Sequence, residues 1–359
     1  MKPLNGFNVL ILLLFFFLNG GGLMGETKVV PMPDLEKPDS ITMGHEYLYI
    51  TDQGTIAIYS LKDVKLKNKF GRKGEGPGEF RIRPFDKLGL QVFIHGDYIV
   101  VNSTGKLSFF TRSGEFKEEI TYPGEMQSFT PLGSKFVGYS RTKENDLLYL
   151  TINFYDPRQL QMEKEIYRRR YYGQLKGPSK ILRLVMATKN ASMRGALYQV
   201  YNNRLFLEGE NNEILVFDDS GKKLYTVRQS YEKMKIPDPF KQKVMAFLKK
   251  RYPTIYRHAR QYGEFPGYFP LRYFLVTDSK IYVLTFKTSN GKNELYILDL
   301  EGKLLGKTMV PFEEAEFLQP YPFTIGKGVF YQLNENLDTE EWELHIHQIR
   351  LSAKTFTMR

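Results

Sequence analysis

The stretch from Lys106 to Ile120, KLSFFTRSGEFKEEI, decides the fold. It contains an alternating strand, a tight turn on Ser113-Gly114 and a second strand, and glycine supplies the positive φ that such a hairpin needs. The same pattern recurs along the chain. The other copies are Thr55 to Phe70 (TIAIYSLKDVKLKNKF), Glu213 to Val227 (EILVFDDSGKKLYTV), Glu294 to Thr308 (ELYILDLEGKLLGKT) and Asp146 to Ile166, which turns on Asp156-Pro157.

A short apolar strand precedes each hairpin and would be the second strand of a four-stranded unit. Units of this kind that repeat every 40 to 50 residues or so are the sequence mark of a β-propeller. The pattern therefore predicts an all-β fold, a six-bladed β-propeller. The six second strands are expected at Tyr47 to Thr51, Tyr98 to Asn102, Lys135 to Ser140, Arg204 to Glu208, Lys280 to Thr285 and Gly328 to Leu333.

The last unit has no fourth strand after its third, which is expected at Trp342 to Arg350. The segment Thr27 to Met32 (TKVVPM) is strand-like and has no partner nearby in sequence. An unpaired edge would leave a row of exposed N–H and C=O groups, so we expect this N-terminal strand to close the ring. A pair of β-sandwiches is the alternative, because 359 residues can also form two smaller cores.

The first 25 residues resemble a signal peptide in their order of basic, apolar and small residues, with the apolar run from Val9 to Leu18. Ten residues rise about 15 Å as a helix, half of a bilayer's roughly 30 Å, so no transmembrane domain is expected in the mature form. An uncleaved anchor is the alternative. Residues 26–359 are expected to form a single β-propeller domain, with insertions at about 168–194 and 231–265.

The chain contains no cysteine, so it can be neither a lipoprotein nor a disulfide-bonded protein. Together with the predicted signal peptide, the absence of cysteine predicts a protein of the bacterial periplasm or one that is secreted. The formal net charge of +11 then favours an acidic polymer, an acidic protein or a membrane surface as the partner, and no nucleic acid is expected outside the cytoplasm. A general effect on solubility is the alternative.

Between the first two units the chain reads FGRKGEGPGEF, from Phe70 to Phe80. This phrase resembles the blade junctions of NHL-repeat-like six-bladed β-propellers of bacterial exported proteins, and the similarity extends over most of residues 27 to 350. The resemblance implies a fold and no particular activity. A phosphate loop is disfavoured because no Lys-Ser/Thr pair ends the run. The expected structural blade-junction turn consists of Gly74, Gly76, Pro77, Gly78, Glu79 and Phe80.

The insertion after the fourth unit has helical periodicity, with Asp238 as the expected N-cap, Pro239 at the first helical position and Pro253 as a kink or break. Its apolar stripe consists of Phe240, Val244, Leu248, Tyr252, Ile255, Ala259 and Tyr262. Basic residues lie off this stripe, where they would be solvated or would touch an anionic surface. The candidate ligand-binding residues are Lys249, Lys250, Arg251 and Arg257 here, and Arg168, Arg169, Arg170 and Tyr171 in the other insertion.

The sequence identifies no catalytic residue and no cofactor. Glu343, His345 and His347 share one face of a predicted strand and are weak candidates for a metal site, but the favoured interpretation is a polar outer face opposite Trp342, Leu344 and Ile346. The sequence favours an exported, non-catalytic binding or scaffolding propeller with a basic face that recognises an acidic polymer, peptide or head group. The alternatives are a metal-dependent hydrolase or lyase with its site at the propeller axis, and a membrane-tethered accessory subunit.

Overall fold

Six four-stranded antiparallel sheets make up the fold. The computed structural model describes residues 27–82, 89–122, 128–145, 147–170, 198–209, 212–263 and 265–350. The innermost strand of each sheet contacts the innermost strands of both neighbouring sheets, and these contacts run round a closed circle. The protein is therefore a six-bladed β-propeller, as the hairpin repeat predicted, and the pair of sandwiches is excluded.

The strands are given blade by blade, from the innermost to the outermost. Blade 1 contains β2 (Pro38–Gly44), β3 (Tyr47–Asp52), β4 (Thr55–Ser60) and β5 (Leu66–Phe70). Blade 2 contains β6 (Gln91–His95), β7 (Tyr98–Ser103), β8 (Lys106–Thr111) and β9 (Phe116–Thr121). Blade 3 contains β10 (Phe129–Leu132), β11 (Lys135–Glu144), β12 (Leu147–Tyr155) and β13 (Met162–Arg170).

Blade 4 contains β14 (Tyr198–Tyr201), β15 (Arg204–Glu208), β16 (Ile214–Phe217) and β17 (Lys223–Val227). Blade 5 contains β18 (Tyr273–Thr277), β19 (Lys280–Ser289), β20 (Lys292–Asp299) and β21 (Leu304–Val310). The link that follows forms a small hairpin of β22 (Glu314–Glu316) and β23 (Gln319–Pro320). Blade 6 contains β24 (Phe323–Gly326), β25 (Val329–Asn336), β26 (Glu341–Gln348) and, outermost, β1 (Thr27–Pro31).

The N-terminal strand closes the ring as predicted. β1 pairs with β26 in antiparallel register, with Thr27 opposite His347 and Pro31 opposite Glu343. The link to blade 1 is fastened by Trp342, which donates its indole N–H to the Glu36 carbonyl at 3.0 Å. The first and last strands thus share one blade, so β26 is not left as an unpaired edge.

The hydrophobic core is divided into layers between the blades. Of seven buried clusters, six each join two adjacent blades, one for every junction of the ring. The cluster between blades 6 and 1, for example, joins Leu333 and Leu344 to Ile50 and Tyr59. Alternation along each strand provides one apolar face for each neighbour, which explains why the strands are rich in Ile, Val, Tyr and Phe.

The ring has two different faces because the strands of each blade alternate in direction. The links between blades and the turns between second and third strands emerge on one face, which we call the link face. The turns between first and second strands, and between third and fourth strands, emerge on the opposite turn face. On the turn face His45 lies near the Gly96 carbonyl (3.4 Å) and Tyr201 bonds to Ser279, so adjacent blades are joined there directly.

Two helices, α1 (Asp238–Arg251) and α2 (Pro253–Tyr262), form the insertion between blades 4 and 5. The predicted break at Pro253 is present. The predicted N-cap is wrong by one position: Pro237 is the capping residue, Asp238 is the first helical residue and Pro239 follows it. The Pro237 carbonyl accepts the Lys241 N–H at 3.2 Å, which is the first hydrogen bond of the helix, and the Asp238 carboxylate pairs with the Lys241 side chain at 2.7 Å.

Residues 1–25, the predicted signal peptide, and Tyr171 lie outside the described residues. Within the described part of the chain, neither helix has the length and apolarity needed to cross a bilayer.

Candidate functional site: a basic helical cap on the link face

Helices α1 and α2, here called the helical cap, pack on the link face above blades 5 and 6. Three residues of the predicted apolar stripe, Val244, Leu248 and Ala259, are fully buried. They form a seventh hydrophobic cluster with Ile236 and Leu318. Leu318 belongs to the link between blades 5 and 6, so the cap bridges two junctions. The apolar side of the cap therefore faces the ring.

An aromatic cluster lies beneath α1. The Phe240 ring lies 4.9 Å from Phe269 and 5.5 Å from Phe317, measured between centroids. Phe269 stacks on Phe286 of β19 at 4.5 Å. Such pairs contribute roughly 0.5–1.5 kcal/mol beyond the area that they bury. Three separate elements, namely the helix, the end of blade 5 and the small hairpin, are thus held in one fixed arrangement.

Arg272 anchors this arrangement and was missed by the sequence interpretation. Its guanidinium lies 5.1 Å from the Phe286 centroid and 4.4 Å from that of Phe312, and it forms an ion pair with Glu314. The second oxygen of Glu314 accepts the Leu318 N–H at 3.1 Å. The available signal was the position of Arg272 just before an inner strand, where a buried cation needs a partner in the next link.

More than half of the net positive charge of the protein belongs to this insertion. Residues 231–265 contain nine Lys or Arg residues and three Asp or Glu residues, against a net charge of +11 for the whole chain. Lys249, Lys250 and Arg257 are exposed on the side of the helices that faces away from the buried stripe. Lys249 and Lys250 also lie in the last turn of α1, where a cation complements the helix dipole.

Three described acidic residues in and beside the cap, Glu232, Asp238 and Glu316, are already paired. Glu232 bonds to Lys287 at 2.5 Å, which lowers the pKa of the carboxyl and, together with Glu294, raises the pKa of the lysine. The bond to Lys241 likewise lowers the pKa of Asp238. Arg251, one of the predicted ligand-binding residues, is occupied by Glu316 at 2.9 Å.

The three remaining predicted cations of the cap keep their charge uncompensated. Across the ranges that the structure describes, Lys249, Lys250 and Arg257 form no ion pair. Tyr268, an exposed aromatic residue after α2, lies 6.0 Å from the Lys233 ammonium, measured to the ring centroid. Among the described residues, these three charges of the outer side of the cap are consequently without a counter-ion.

The other predicted cluster lies in blade 3. Arg168, Arg169 and Arg170 are the last residues of β13, whereas the sequence placed them at the start of an insertion. Arg168 pairs with Glu144 and, at 2.8 Å, with Glu165, which raises the pKa of the guanidinium. Arg169 lies 3.9 Å from Glu208 of blade 4. The charges of Arg168 and Arg169 are thus balanced locally, and they lie on a different blade from the cap.

The Gly-rich junction between blades 1 and 2 is held by a buried lysine. The Lys106 ammonium donates to the carbonyls of Gly76 (2.8 Å) and Glu75 (3.2 Å) and pairs with Glu119 at 3.0 Å. The Glu79 carboxylate accepts the Gly76 N–H at 2.8 Å and also bonds to Arg72, and these bonds lower the pKa of Glu79. The loop is therefore internally braced.

The backbone amides of this junction point at acceptors within the protein. Gly74 N–H donates to the Phe80 carbonyl, Glu79 N–H to the Gly76 carbonyl and Phe80 N–H to the Arg72 carbonyl. Gly78 N–H faces Glu119 at 3.4 Å. A phosphate loop needs free amides aimed at the anion, so the geometry is that of a turn. The Phe80 ring is fully buried against Phe70 and Phe110.

Glu343, His345 and His347 do share one face of β26, while Trp342 and Leu344 face blade 1. Glu343 lies 3.1 Å from His345, and His347 bonds to Thr27 at 3.2 Å. The described residues contain no group of three His, Cys, Asp or Glu side chains placed to hold a metal ion.

The inner strands are equally poor in ligands for a metal at the axis. Asp39 is the one acidic residue among the six of them. Burial and the nearby Asp52 carboxylate raise the pKa of Asp39. A single carboxylate is far short of the six to eight oxygens that calcium prefers.

No protein-family model matches this sequence, and no curated protein is similar to it. Among solved structures, the Myceliophteria thermophila Cps50 (Swd1) β-propeller domain aligns with a TM-score of 0.41 and 9% identity, covering 90% of this chain and 100% of that one. BamB from Moraxella catarrhalis aligns with a TM-score of 0.39 and 11% identity, covering 89% and 98%. BBS1N, in a complex with ARL6DN, aligns with a TM-score of 0.39 and 8% identity, covering 92% and 98%. Similarity this distant carries no information about function.

Proposed function

We propose that this protein is an exported, non-catalytic binding scaffold that recognises an acidic partner through the helical cap, and that it is related to the NHL-repeat-like propellers of bacteria. The supporting observation is the uncompensated charge of Lys249, Lys250 and Arg257. Propellers commonly serve as rigid binding platforms. In this one, most of the excess charge is held in a single decoration that packs firmly on the ring.

The mechanism is electrostatic attraction to a preorganised surface. The aromatic cluster and the Arg272–Glu314 pair fix α1 relative to the blades, so little order has to be gained on binding. Exposed charges act over about 10 Å at 0.1 M salt, and binding of this kind weakens steeply as salt increases.

Heparin chromatography tests the proposal. Replacement of Lys249, Lys250 and Arg257 by Glu should weaken the affinity for heparin by about tenfold or more, so that the variant elutes at lower salt. Each exposed ion pair contributes roughly 0.2–1 kcal/mol, and 1.4 kcal/mol is a factor of ten in affinity. The matched control reverses three exposed lysines of the turn face, Lys222, Lys223 and Lys303, and changes the net charge equally. An equal loss in both variants would show that only bulk charge matters and would refute a role for the cap.

A further inference from the structure

The apolar side of the cap is already used by the ring. Val244 and Leu248 are fully buried, and no large hydrophobic residue among the described side chains of α1 and α2 is exposed. A helix that binds in a lipid interface inserts an exposed apolar face several ångströms into the acyl boundary. The described side chains of the cap offer no such face, so its outer side is suited to recognising charge and not to entering a bilayer.

Cations in and beside the cap already pair with carboxylates. Arg251 is paired with Glu316, Lys241 with Asp238 and Lys287 with Glu232, all through side-chain carboxylates. The unpaired positions, Lys249, Lys250 and Arg257, continue the same surface. Lysine is a flexible point charge that does not impose the planar geometry of an arginine fork, and it suits a partner whose carboxylates are loosely placed.

The described chain enters and leaves the ring on the opposite face. Thr27 begins β1 beside His347, near the end of β26. Ile349 then donates its N–H to the carbonyl of Gly328, which lies in the turn between the first two strands of blade 6. Thr27 and Ile349 therefore both lie on the turn face, and the helical cap lies on the link face.

We infer that the helical cap binds an acidic polypeptide segment, rich in Asp and Glu, and presents it on the side of the ring remote from Thr27 and Ile349. This inference rests on the proposed function and names its partner. The partner approaches from the link face, which is the side away from the first described strand.

Three probes on wild-type protein separate the outcomes: a fluorescent glutamate-rich peptide, heparin, and vesicles of phosphatidylglycerol and phosphatidylcholine in equal parts. We expect the peptide to bind the wild-type protein and the turn-face control equally well. Its affinity for the variant with Glu at positions 249, 250 and 257 should be about tenfold weaker. Sedimentation with vesicles in preference to the peptide would overturn the inference. Heparin retention without peptide binding would also overturn it while leaving the proposed function intact, and loss of both would refute the proposed function.

The orientation is tested separately, because a chain without cysteine accepts a single labelled one. The variants Lys222→Cys on the turn face and Gln261→Cys on α2, both at exposed positions, are biotinylated and captured on streptavidin. The Lys222→Cys protein should bind the peptide as it does in solution, and the Gln261→Cys protein should lose binding. Equal binding by the two would contradict the placement of the docking face.

Discussion

Gly221 of blade 4 packs directly on Ile166 of blade 3: a Cβ atom at Gly221 would lie 2.3 Å from Ile166 Cδ1. The turn glycines of blades 2 and 5 have the same relationship to the preceding blade, with Gly114 against Phe70 and Gly302 against Val227. The x-Gly turn that marks the repeat thus serves two purposes. It permits a positive φ, and it leaves room for the outer strand of the neighbouring blade.

Replacing Gly221 by Ala should therefore destabilise the protein more than the backbone strain alone explains. Strain at positive φ costs about 1–2 kcal/mol, and overpacking against Ile166 adds roughly 1–3 kcal/mol. Gly291→Ala is the matched control, because Gly291 has a similar φ (+71° against +78°) and no atom near its would-be Cβ. Urea denaturation measures both, and equal losses would show that the contact between blades is unimportant.

Lys106→Met should lower the free energy of unfolding by about 3–5 kcal/mol, since it leaves the Glu119 carboxylate and the junction carbonyls without their donor. The control is Lys117, which lies two positions before Glu119 in β9. Its side chain is exposed, and its ion pair with Glu115 is long at 3.8 Å. Its replacement by Met should change stability by less than about 0.5 kcal/mol. Similar denaturation midpoints for the two variants would argue against a structural role for the buried ammonium.

Leu248→Ala should loosen the helical cap while the blades remain folded. The lost packing costs about 2–5 kcal/mol at a fully buried leucine. Hydrogen exchange should accelerate in α1 and α2 and remain unchanged in blade 2. Leu337→Ala, at a highly exposed turn position, is the control and should leave exchange unaltered. Uniform acceleration throughout the ring would mean that the cap is not a separate unit.

Stability should fall as the pH drops below about 6.5, because His347 is buried beside the closing strand. Burial lowers the pKa of His347, with smaller contributions from Lys292 and Arg350. The unfolded chain therefore binds the proton first, and stability is lost as the pH falls from the unfolded value through the lowered folded one.

The variant His347→Asn keeps an acceptor for Thr27 and should remove that part of the pH dependence. Thermal melts between neutral and mildly acidic pH measure it. His45→Gln, at an exposed turn, is the control and should melt with the same pH slope as the wild type. An unchanged slope in His347→Asn would assign the acid sensitivity to other groups.

The ring could be predicted from sequence because its cause is local and repeated. The Ser220-Gly221 and Glu301-Gly302 turns each indicate a hairpin. The predicted strand at Thr27 had no partner nearby in sequence, and the last unit was the one that lacked a fourth strand. The helical cap was visible through the spacing of Val244 and Leu248. Its N-cap was misplaced by one residue because the sequence is compatible with Asp238 either as the N-cap or as an acidic residue of the first turn.

The candidate site was only partly foreseen, because ion pairs depend on contacts that are distant in sequence. Lys249 and Arg251 look alike in the chain, yet Glu316, 65 residues after Arg251, compensates the second and not the first. Arg272 could be noticed only by its position just before an inner strand, since its two aromatic neighbours come from β19 and from the link before blade 6. Charge content can be read from sequence, but charge balance requires the fold.

The closing strand also determines how the molecule responds to tension. Thr27 and His347 lie side by side, so a pull applied between the two chain ends would load the hydrogen bonds of β1 and β26 one after another and not all together. A strand pair loaded in this unzipping geometry separates at low force. The same hydrogen bonds loaded in shear would resist the force together. Blade 6 should thus be the first to yield in a single-molecule pulling experiment, beginning on the side away from the helices.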